Sequence, residues 1–241
     1  MERIQTGSKN LDRLLCGGIE TNAITEFYGA SGSGKTQICH SLCVAVSQSR
    51  SKDGVLGKSI YIDTAGTFRP ERIAGIADAR GFSTSCALSN ILYKNVMIID
   101  KQEFIIENIQ SIIDNCKNTR LLVIDSVIGN YRAEFLGKHM LSQRQQRLYK
   151  FMRKLSSIAQ NNKIAVIVTN QVNSGRGRYY IEDNPTGGNI MANTSTYRIH
   201  LRRFDSNRVV IVARIVKSPY HPDKEAYFSL GQKGLEDNLQ R

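Results

Sequence analysis

The stretch that decides the fold is Gly29–Thr36, GASGSGKT, which matches the pattern G-x-x-x-x-G-K-[ST] of a phosphate-binding loop. An apolar run, Ala23–Tyr28, predicts a buried strand before it, and Thr36–Gln48 predicts a helix after it. Glycines let backbone N–H groups turn towards phosphate oxygens, and the start of a helix adds the positive end of its dipole. Lys35 can reach the β- and γ-phosphates, and the Thr36 hydroxyl can bind Mg²⁺. The stretch therefore predicts a nucleoside triphosphate site rather than a glycine-rich turn that binds nothing.

A chain of 241 residues is long enough for one α/β domain with a sizeable core. The sequence has no apolar run long enough for a membrane span, and its N-terminus lacks the apolar segment of a secretory signal. The five cysteines form no C-x-x-C pair, which argues against a zinc site and favours free thiols in a reducing compartment. A net charge of +12 favours an anionic partner such as nucleic acid, with solubility alone as the alternative.

Short apolar runs alternate with helical patterns along most of the chain. The predicted strands are Ile24–Tyr28, Ser59–Asp63, Val96–Ile99, Leu121–Asp125 and Ile164–Thr169, and the predicted helices are Thr36–Gln48, Arg69–Arg80, Lys101–Lys117 and Ser142–Gln160. This alternation predicts a parallel sheet with helices on both faces. Three later runs predict strands that meander at one edge of the sheet, namely Thr194–Arg203, Arg208–Lys217 and Glu225–Leu230. We expect a single domain over residues 1–241.

Polar side chains follow several predicted strands, at the edge where ligands bind in open α/β sheets. Asp125 ends the run LLVIDS and can complete a Mg²⁺ site, and Asp63 ends another strand. Gln171 can contact a γ-phosphate or an attacking water, with a local backbone contact as the alternative. Arg69 and Arg72 open a helix, where positive charge is unfavourable without a partner such as a phosphate or a base. A surface arginine pair is the alternative for these two residues.

Two segments combine positive charge with aromatic rings. This combination is typical of segments that bind single-stranded nucleic acid. The first, Tyr131–Arg144, combines cations with the rings of Tyr131 and Phe135. The second, Asn173–Gly187, is rich in glycine. The cations and rings of interest are Arg132, Lys138 and Arg144 in the first segment and Arg176, Arg178, Tyr179 and Tyr180 in the second. Charge would follow the phosphates and rings would stack on bases; a solvated loop is the alternative for each segment.

Several strings resemble the RecA/RadA recombinase family, in its archaeal and eukaryotic branch. They are TGSKNLDRLLCGGIET at Thr6–Thr21, GKTQICH at Gly34–His40, YIDTAGTFRPERI at Tyr61–Ile73, TNQV at Thr169–Val172 and GGNIMANTSTYRIHLR at Gly187–Arg202. The likeness runs from Ile4 to about Asp237. It implies a RecA-type P-loop NTPase core, with a mostly parallel central sheet, helices on both faces and an antiparallel C-terminal edge. It further implies binding of ATP, Mg²⁺ and DNA in homologous recombination and repair, with the nucleotide between adjacent protomers.

The resemblance assigns roles to residues of this chain. Arg72 matches an adenine-stacking arginine, and Gln171 matches the residue that links the γ-phosphate to the second DNA-binding loop. Lys35 and Gln171 are expected to be catalytic, and Thr36 and Asp125 to hold the metal. The expected nucleotide-binding residues are Gly29, Gly32, Ser33, Gly34, Lys35, Thr36, Gln37, Arg72 and Asp125. The expected DNA-binding residues are the seven cations and tyrosines of the two basic segments.

Three features depart from the family pattern. The family has Glu, which polarises the attacking water, where this chain has Ala65, and a methyl group can neither accept a proton nor orient water. We expect the chain to consist of the ATPase core alone, without the helical DNA-binding domain and Phe-x-x-Ala docking motif of full-length members, a layout that resembles the RadB-like paralogues. Lys217 replaces an Asp before the Ser-Pro that caps a neighbour's nucleotide. Lys217 and Pro219 are thus candidates for a nucleotide contact in trans, with an ordinary exposed lysine as the alternative.

Three functions are compatible with the sequence. The favoured one is an ATP- and DNA-binding recombinase paralogue with slow hydrolysis that assists a main recombinase. The second is the core of an active strand-exchange ATPase in which Ala65 was introduced to trap ATP. The third is a RecA-fold NTPase switch that acts on protein without DNA. The expected partners are single- or double-stranded DNA, other recombination proteins and a second copy of the chain, with no membrane. The expected location is the archaeal cytoplasm (nucleoid) or a eukaryotic nucleus.

Overall fold

A mixed β-sheet forms the centre of the protein. The computed structural model describes residues 2–51, 54–173, 184–204 and 210–237. The strands are β1 Arg3–Ile4, β2 Ile19–Glu20, β3 Ile24–Gly29, β4 Lys58–Asp63, β5 Ile91–Asn95, β6 Thr119–Asp125, β7 Ala165–Asn173, β8 Asn184–Pro185, β9 Tyr197–Arg203, β10 Val210–Lys217, β11 Glu225–Gly231 and β12 Gly234–Glu236. The helices are α1 Lys9–Leu14, α2 Lys35–Gln48, α3 Pro70–Ala79, α4 Thr84–Ser89, α5 Ile99–Glu107, α6 Ile109–Asn115, α7 Gly129–Glu134, α8 Leu141–Asn162 and α9 Gly188–Thr194, and Lys138–Met140 form a short 3₁₀ turn.

Across the central sheet the strand order is β12-β11-β10-β9-β3-β7-β6-β4-β5, and β8 pairs with β7, whereas β1 and β2 form a separate two-stranded sheet. Neighbours from β5 to β9 run parallel, whereas β9 to β12 run antiparallel. The predicted α/β class, with a mostly parallel sheet and an antiparallel C-terminal edge, is confirmed. The reversal begins at β10, because β9 still pairs in parallel with β3.

The two faces of this sheet bury two separate apolar clusters. Leu121 and Val123 of β6 join one cluster with residues of α2 and α3. Leu122 and Ile124 join the other cluster with residues of α8. Successive side chains of a strand point to opposite faces, so the continuous apolar run at the centre of β6 serves both clusters. Helices therefore cover both faces, as predicted.

One predicted strand is wrong. Val96–Ile99 was expected to be extended, but the strand is β5, Ile91–Asn95, and Ile99 already begins α5. Val96 and Ile99 are buried although they lie outside the strand, whereas most side chains of β5 are exposed at the sheet edge although it begins with Ile91 and Leu92. The predicted helix Lys101–Lys117 is two helices that meet at Asn108, whose side-chain amide donates to the Phe104 carbonyl at 2.8 Å.

The strand register brings the predicted site residues to one edge of the sheet. Gly29 of β3 pairs with Gln171 of β7, and Asp63 of β4 pairs with Asp125 of β6. Because all four strands run parallel, their carboxyl ends meet at this edge, where ligands bind in open α/β sheets. Among the described residues, no helix is both long and apolar enough to cross a membrane.

Candidate nucleotide-binding site

The phosphate loop connects the end of β3 to the start of α2. Gly34 is the residue before α2 and has φ +94°, a left-handed conformation that side chains rarely adopt. At Gly29 a Cβ would collide with the carbonyl oxygen of Leu201 on the neighbouring strand β9. The loop is therefore pressed against the sheet and turns sharply into the helix. This geometry aims the free N–H groups of the first turn of α2 at the cavity in front of the loop.

Lys35 lies inside the curve of this loop. Its Nζ donates to the carbonyl oxygens of Gly29 and Ala30, both at 2.8 Å, and to Ser33 Oγ at 3.3 Å. Burial lowers the pKa of Lys35, and the nearby carboxylate of Asp125 opposes that shift. The ammonium is thus held by oxygen atoms at the loop, where it can exchange them for phosphate oxygens.

Asp125 ends β6 next to α2 and is 4% exposed. Its Oδ2 accepts from Thr36 Oγ1 at 2.7 Å and from the Tyr61 hydroxyl at 2.8 Å. Its Oδ1 accepts from the Thr169 hydroxyl. A carboxylate and a threonine hydroxyl in contact form the hard oxygen donor set that Mg²⁺ prefers. Thr36 and Asp125 fit the metal role predicted for them.

Tyr61 and Thr169 contact the predicted metal residue but were not among the predicted site residues. Each lies within an apolar strand that reads simply as core. No motif rule marks a tyrosine or threonine at those positions. The register of β4 and β7 against β6 is what brings both hydroxyls to the carboxylate.

Asp63 also ends a strand, but its carboxylate holds a loop together. Its oxygens accept from the backbone N–H groups of Ala65 at 3.0 Å, Thr67 at 3.2 Å and Phe68 at 3.0 Å. The Tyr93 hydroxyl lies 3.3 Å from the same carboxylate. Asp63 is fully buried. It therefore shapes the loop that carries Ala65 instead of facing the cavity.

The two arginines at the start of α3 are positioned differently. Arg72 Nε donates to Gln37 Oε1 at 2.8 Å, and its Nη2 donates to the Gly231 carbonyl at 2.6 Å. Burial lowers the pKa of Arg72. Arg69 Nη1 donates to the carbonyls of Gly66 and Phe68 at 3.0 and 2.8 Å. Arg72 thus lies beside α2 with the predicted site residue Gln37, and Arg69 borders the Ala65 loop.

A cavity of about 470 Å³ opens in front of the phosphate loop. This volume lies within the usual range of small-molecule sites, roughly 300–1,000 Å³. Its lining brings together most of the predicted residues: Gly32, Gly34, Lys35, Thr36, Gln37, Ala65, Arg69, Asp125 and Gln171. Arg203, which was not predicted, also lines the cavity, and its Nε donates to the Gly32 carbonyl at 2.9 Å. Ala65 therefore faces the same space as the phosphate loop.

Comparison with known proteins agrees with this geometry. The Rad51 family model matches residues 1–238. This chain belongs to the Rad51 family. The DNA repair and recombination protein RadA of Cenarchaeum symbiosum (strain A) is 42% identical over 235 residues, which cover 97% of this chain and 58% of that protein. The Rad51-family chain described here thus spans a little more than half of the length of this relative.

In this Rad51-family chain, the two aromatic rings of the first basic segment are buried, although they were expected to be available for stacking on bases. Tyr131 is fully buried and Phe135 is 6% exposed, and both belong to the core. The Tyr131 hydroxyl donates to Glu103 at 2.8 Å. The expectation that these rings stack on bases is therefore wrong, because helical spacing turns them inward. Arg132 at the end of α7 is exposed, and Arg144 in α8 is half-buried.

The second basic segment is anchored beside Gln171. Arg176, Arg178, Tyr179 and Tyr180 lie outside the described residues. On either side of them, β7 and β8 pair antiparallel, and the Thr186 N–H donates to the Gln171 carbonyl at 2.9 Å. The Asn170 side-chain amide donates to the Thr186 carbonyl at 2.7 Å and to Glu26 at 2.8 Å. The base of the segment is thus fixed next to the nucleotide cavity.

Lys217 contacts its own chain. Its Nζ donates to the carbonyls of Ala192 at 2.6 Å, Asn193 at 3.3 Å and Ser195 at 2.8 Å. These carbonyls lie at the end of α9, where a cation is favourable because it meets the negative end of the helix dipole. Pro219 follows β10 in a bend. A nucleotide contact in trans by these residues stays a prediction.

Proposed function

We propose that this chain is an ATP- and DNA-binding recombinase paralogue of homologous recombination and repair that hydrolyses ATP slowly. One observation carries the proposal: Ala65, which has no group able to take a proton, lines the same cavity as Lys35, Thr36 and Asp125. Membership of the Rad51 family and similarity to a RadA protein support recombination and repair as the setting. Binding without fast turnover suits a protein that assists another recombinase.

The cavity supports binding of a triphosphate with its metal. The phosphate loop and the start of α2 offer N–H groups to the phosphates, and Lys35 adds a positive charge. Thr36 and Asp125 would hold Mg²⁺, which when bound neutralises charge on the β- and γ-phosphates. Gln37 lines the cavity and accepts from Arg72 Nε at 2.8 Å, so this pair is suited to contact the base. Gln171 can orient a water but cannot accept its proton.

The other carboxylates near Ala65 are poorly suited to replace a general base. Asp63 already accepts three backbone N–H groups, and Asp125 already accepts four hydroxyl groups. Asp125 is also assigned to the metal. Within the part of the chain that the structure describes, the cavity lining holds no further carboxylate. Loss of general-base help typically costs on the order of 10²–10⁴ in rate.

The test is to restore the acid by Ala65→Glu and to measure steady-state ATPase activity with and without single-stranded DNA. We expect kcat to rise by roughly 10²–10⁴ in Ala65→Glu. Ala65→Gln is the matched control, since it has the same size but cannot accept a proton, and it should stay near the starting rate. Strong DNA-stimulated turnover by the chain with Ala65, or equal gains in both variants, would contradict the proposal.

DNA binding is supported by charge and by position. The net charge is +12, Arg132 is exposed, and the base of the second basic segment is bonded to Gln171. Affinity for single-stranded DNA should fall steeply with salt, because phosphate contacts release counterions. If no single-stranded DNA binds at low salt while ATP does, the alternative of an NTPase switch that acts on protein is favoured instead.

A further inference from the structure

A second recess lies at the opposite edge of the sheet from the phosphate loop. Its volume is about 650 Å³, larger than the nucleotide cavity. α2 connects the two edges, because it begins at Lys35 and its last residue, Gln48, lines this recess. Its 14 residues span roughly 20 Å. We call this recess the amino-edge pocket and define it by Arg3, Arg80, Arg120 and Lys233.

These four cations converge from different parts of the fold. Arg3 comes from β1, Arg80 follows α3, Arg120 lies near the start of β6, and Lys233 lies in the turn between β11 and β12. Among the described residues that line the pocket, none is acidic. Like charges repel, so such convergence is unfavourable unless an anion offsets it.

The carboxylates near the pocket only partly offset this charge. Arg3 contacts Glu20 at 3.1 Å. Arg120 contacts Glu2 at 2.7 Å, but the Glu2 side chain is 76% exposed, and such surface pairs contribute little. Glu236 interacts with Arg80 at longer range. Over the described ranges, Lys233 has no ion pair.

Arg80 is the most informative of the four cations. Its Nε donates to the Lys233 carbonyl at 2.8 Å. Its Nη2 is buried and finds no hydrogen-bond partner in the described residues. Gly7 lines the pocket over this group, and a Cβ there would lie 2.5 Å from Nη2. A buried guanidinium nitrogen without an acceptor is costly, and an anion in the pocket would offset the positive charge of this group.

We propose that the amino-edge pocket is a second anion site, which binds a small molecule bearing two or more phosphate groups. Guanidinium groups match phosphate oxygens in charge and in fork geometry. The volume is ample, since the smaller cavity at the other edge already has the motif of a triphosphate site. A recessed pocket suits a compact ligand better than a nucleic acid, whose phosphates lie along an extended surface. This proposal does not rest on the proposed function.

A competing explanation is that the cations only complement helix ends. The C-terminal ends of α2 and α3 both lie at this edge, and cations are favourable there without any ligand. That explanation predicts no ligand affinity. The two explanations therefore differ in a measurable quantity.

The test is calorimetric titration of the full chain with tripolyphosphate at low salt, in a Lys35→Ala background that weakens the phosphate loop. We expect one site in this background. Adding Arg80→Gln should weaken its affinity at least ten-fold, because a charged hydrogen-bond donor is lost. Lys233→Ser, an exposed change that leaves the fold intact, should weaken it about three-fold. Lys94→Ser on β5 is the matched control, since it removes one exposed lysine that lines neither cavity.

Three results would overturn the proposal. The first is no tripolyphosphate binding in the Lys35→Ala background, as the helix-end explanation predicts. The second is equal weakening by Lys233→Ser and Lys94→Ser, which would mean that net charge alone attracts the anion. The third is binding of polyglutamate without tripolyphosphate, which would mark a surface for an acidic protein. Arg80→Lys, which keeps the charge, tests whether any effect of Arg80→Gln reflects misfolding.

Discussion

Asp63 and Asp125 end neighbouring strands, are direct partners in the register and are both nearly inaccessible to solvent. Their hydrogen-bond donors differ. Asp125 accepts from the hydroxyl groups of Thr36, Tyr61 and Thr169, whereas Asp63 accepts mainly from backbone N–H groups of residues 65–68. A hydroxyl can rotate and turn its lone pairs to a cation, but a backbone N–H can only donate. The first arrangement can therefore admit a metal ion, and the second fixes a loop.

The contrast also explains why position on a strand is not enough to assign a role. Both residues follow apolar strands and both point to the ligand edge of the sheet. What separates them is the segment that comes next. After Asp63 the chain turns back over the carboxylate, while after Asp125 it moves on to α7. The turning loop carries Ala65, so Asp63 fixes the position of this residue at the cavity.

The largest effect should follow from Asp125→Asn. The amide has an NH₂ group that faces hydroxyl donors, and it lacks the negative charge that attracts Mg²⁺. We therefore expect the Mg²⁺-dependent affinity for ATP to fall on the order of 100-fold. Isothermal titration with ATP, with and without Mg²⁺, measures this. Tyr61→Phe is the matched control: it deletes one hydroxyl donor to the same oxygen and should cost only about 1 kcal/mol of stability. An unchanged dependence on Mg²⁺ in Asp125→Asn would remove Asp125 from the metal site.

A smaller effect, on stability instead of metal affinity, is expected for Asp63→Asn. The loop N–H groups of Ala65, Thr67 and Phe68 would lose a charged acceptor, so the free energy of unfolding should fall by about 3 kcal/mol. Urea denaturation measures it, and ATP titration should show that the Mg²⁺ dependence is retained. If Asp63→Asn instead abolished that dependence without loss of stability, the contrast between the two carboxylates would fail.

The smallest effect concerns acid sensitivity at His40, whose ring lies against the rings of Tyr61 and Phe68. Burial lowers its pKa to about 4, and neither ring nitrogen has a hydrogen-bond partner among the described residues. The unfolded state, with a pKa near 6.5, binds the proton more readily, so stability is lost as pH falls from about 6.5 towards 4. We expect about 2 kcal/mol of loss between pH 7 and pH 5.

The matched variant for this prediction is His40→Leu, which removes the titrating group at similar volume. Its free energy of unfolding should vary less between pH 7 and pH 5 than that of the unaltered chain. Denaturation curves at both pH values decide the matter. An identical pH dependence in the two proteins would show that another group causes the acid sensitivity.

Much of the fold and of the site was accessible from the sequence because it depends on local patterns. The phosphate loop, the apolar strands around it and Asp125 each carry a signal within a few residues. Tyr61, Thr169 and Arg203 carry none, since they reach the site through strand pairing with distant segments. The prediction of a strand at Val96–Ile99 failed because these apolar residues are buried without being extended. The prediction for Tyr131 and Phe135 failed because composition does not reveal which side chains face the core.

The sequence by itself determined that a phosphate-binding loop lies between a strand and a helix, and that Ala65 follows the strand that ends at Asp63. Glycine spacing, apolar runs and residue identity are local properties, so they can be read along the chain. Only the tertiary structure decided that Asp125 meets hydroxyl groups while Asp63 holds a loop, and that four cations converge at the far edge of the sheet. Those relations join segments up to 230 residues apart, between Arg3 and Lys233, and packing of the whole sheet is what brings them together.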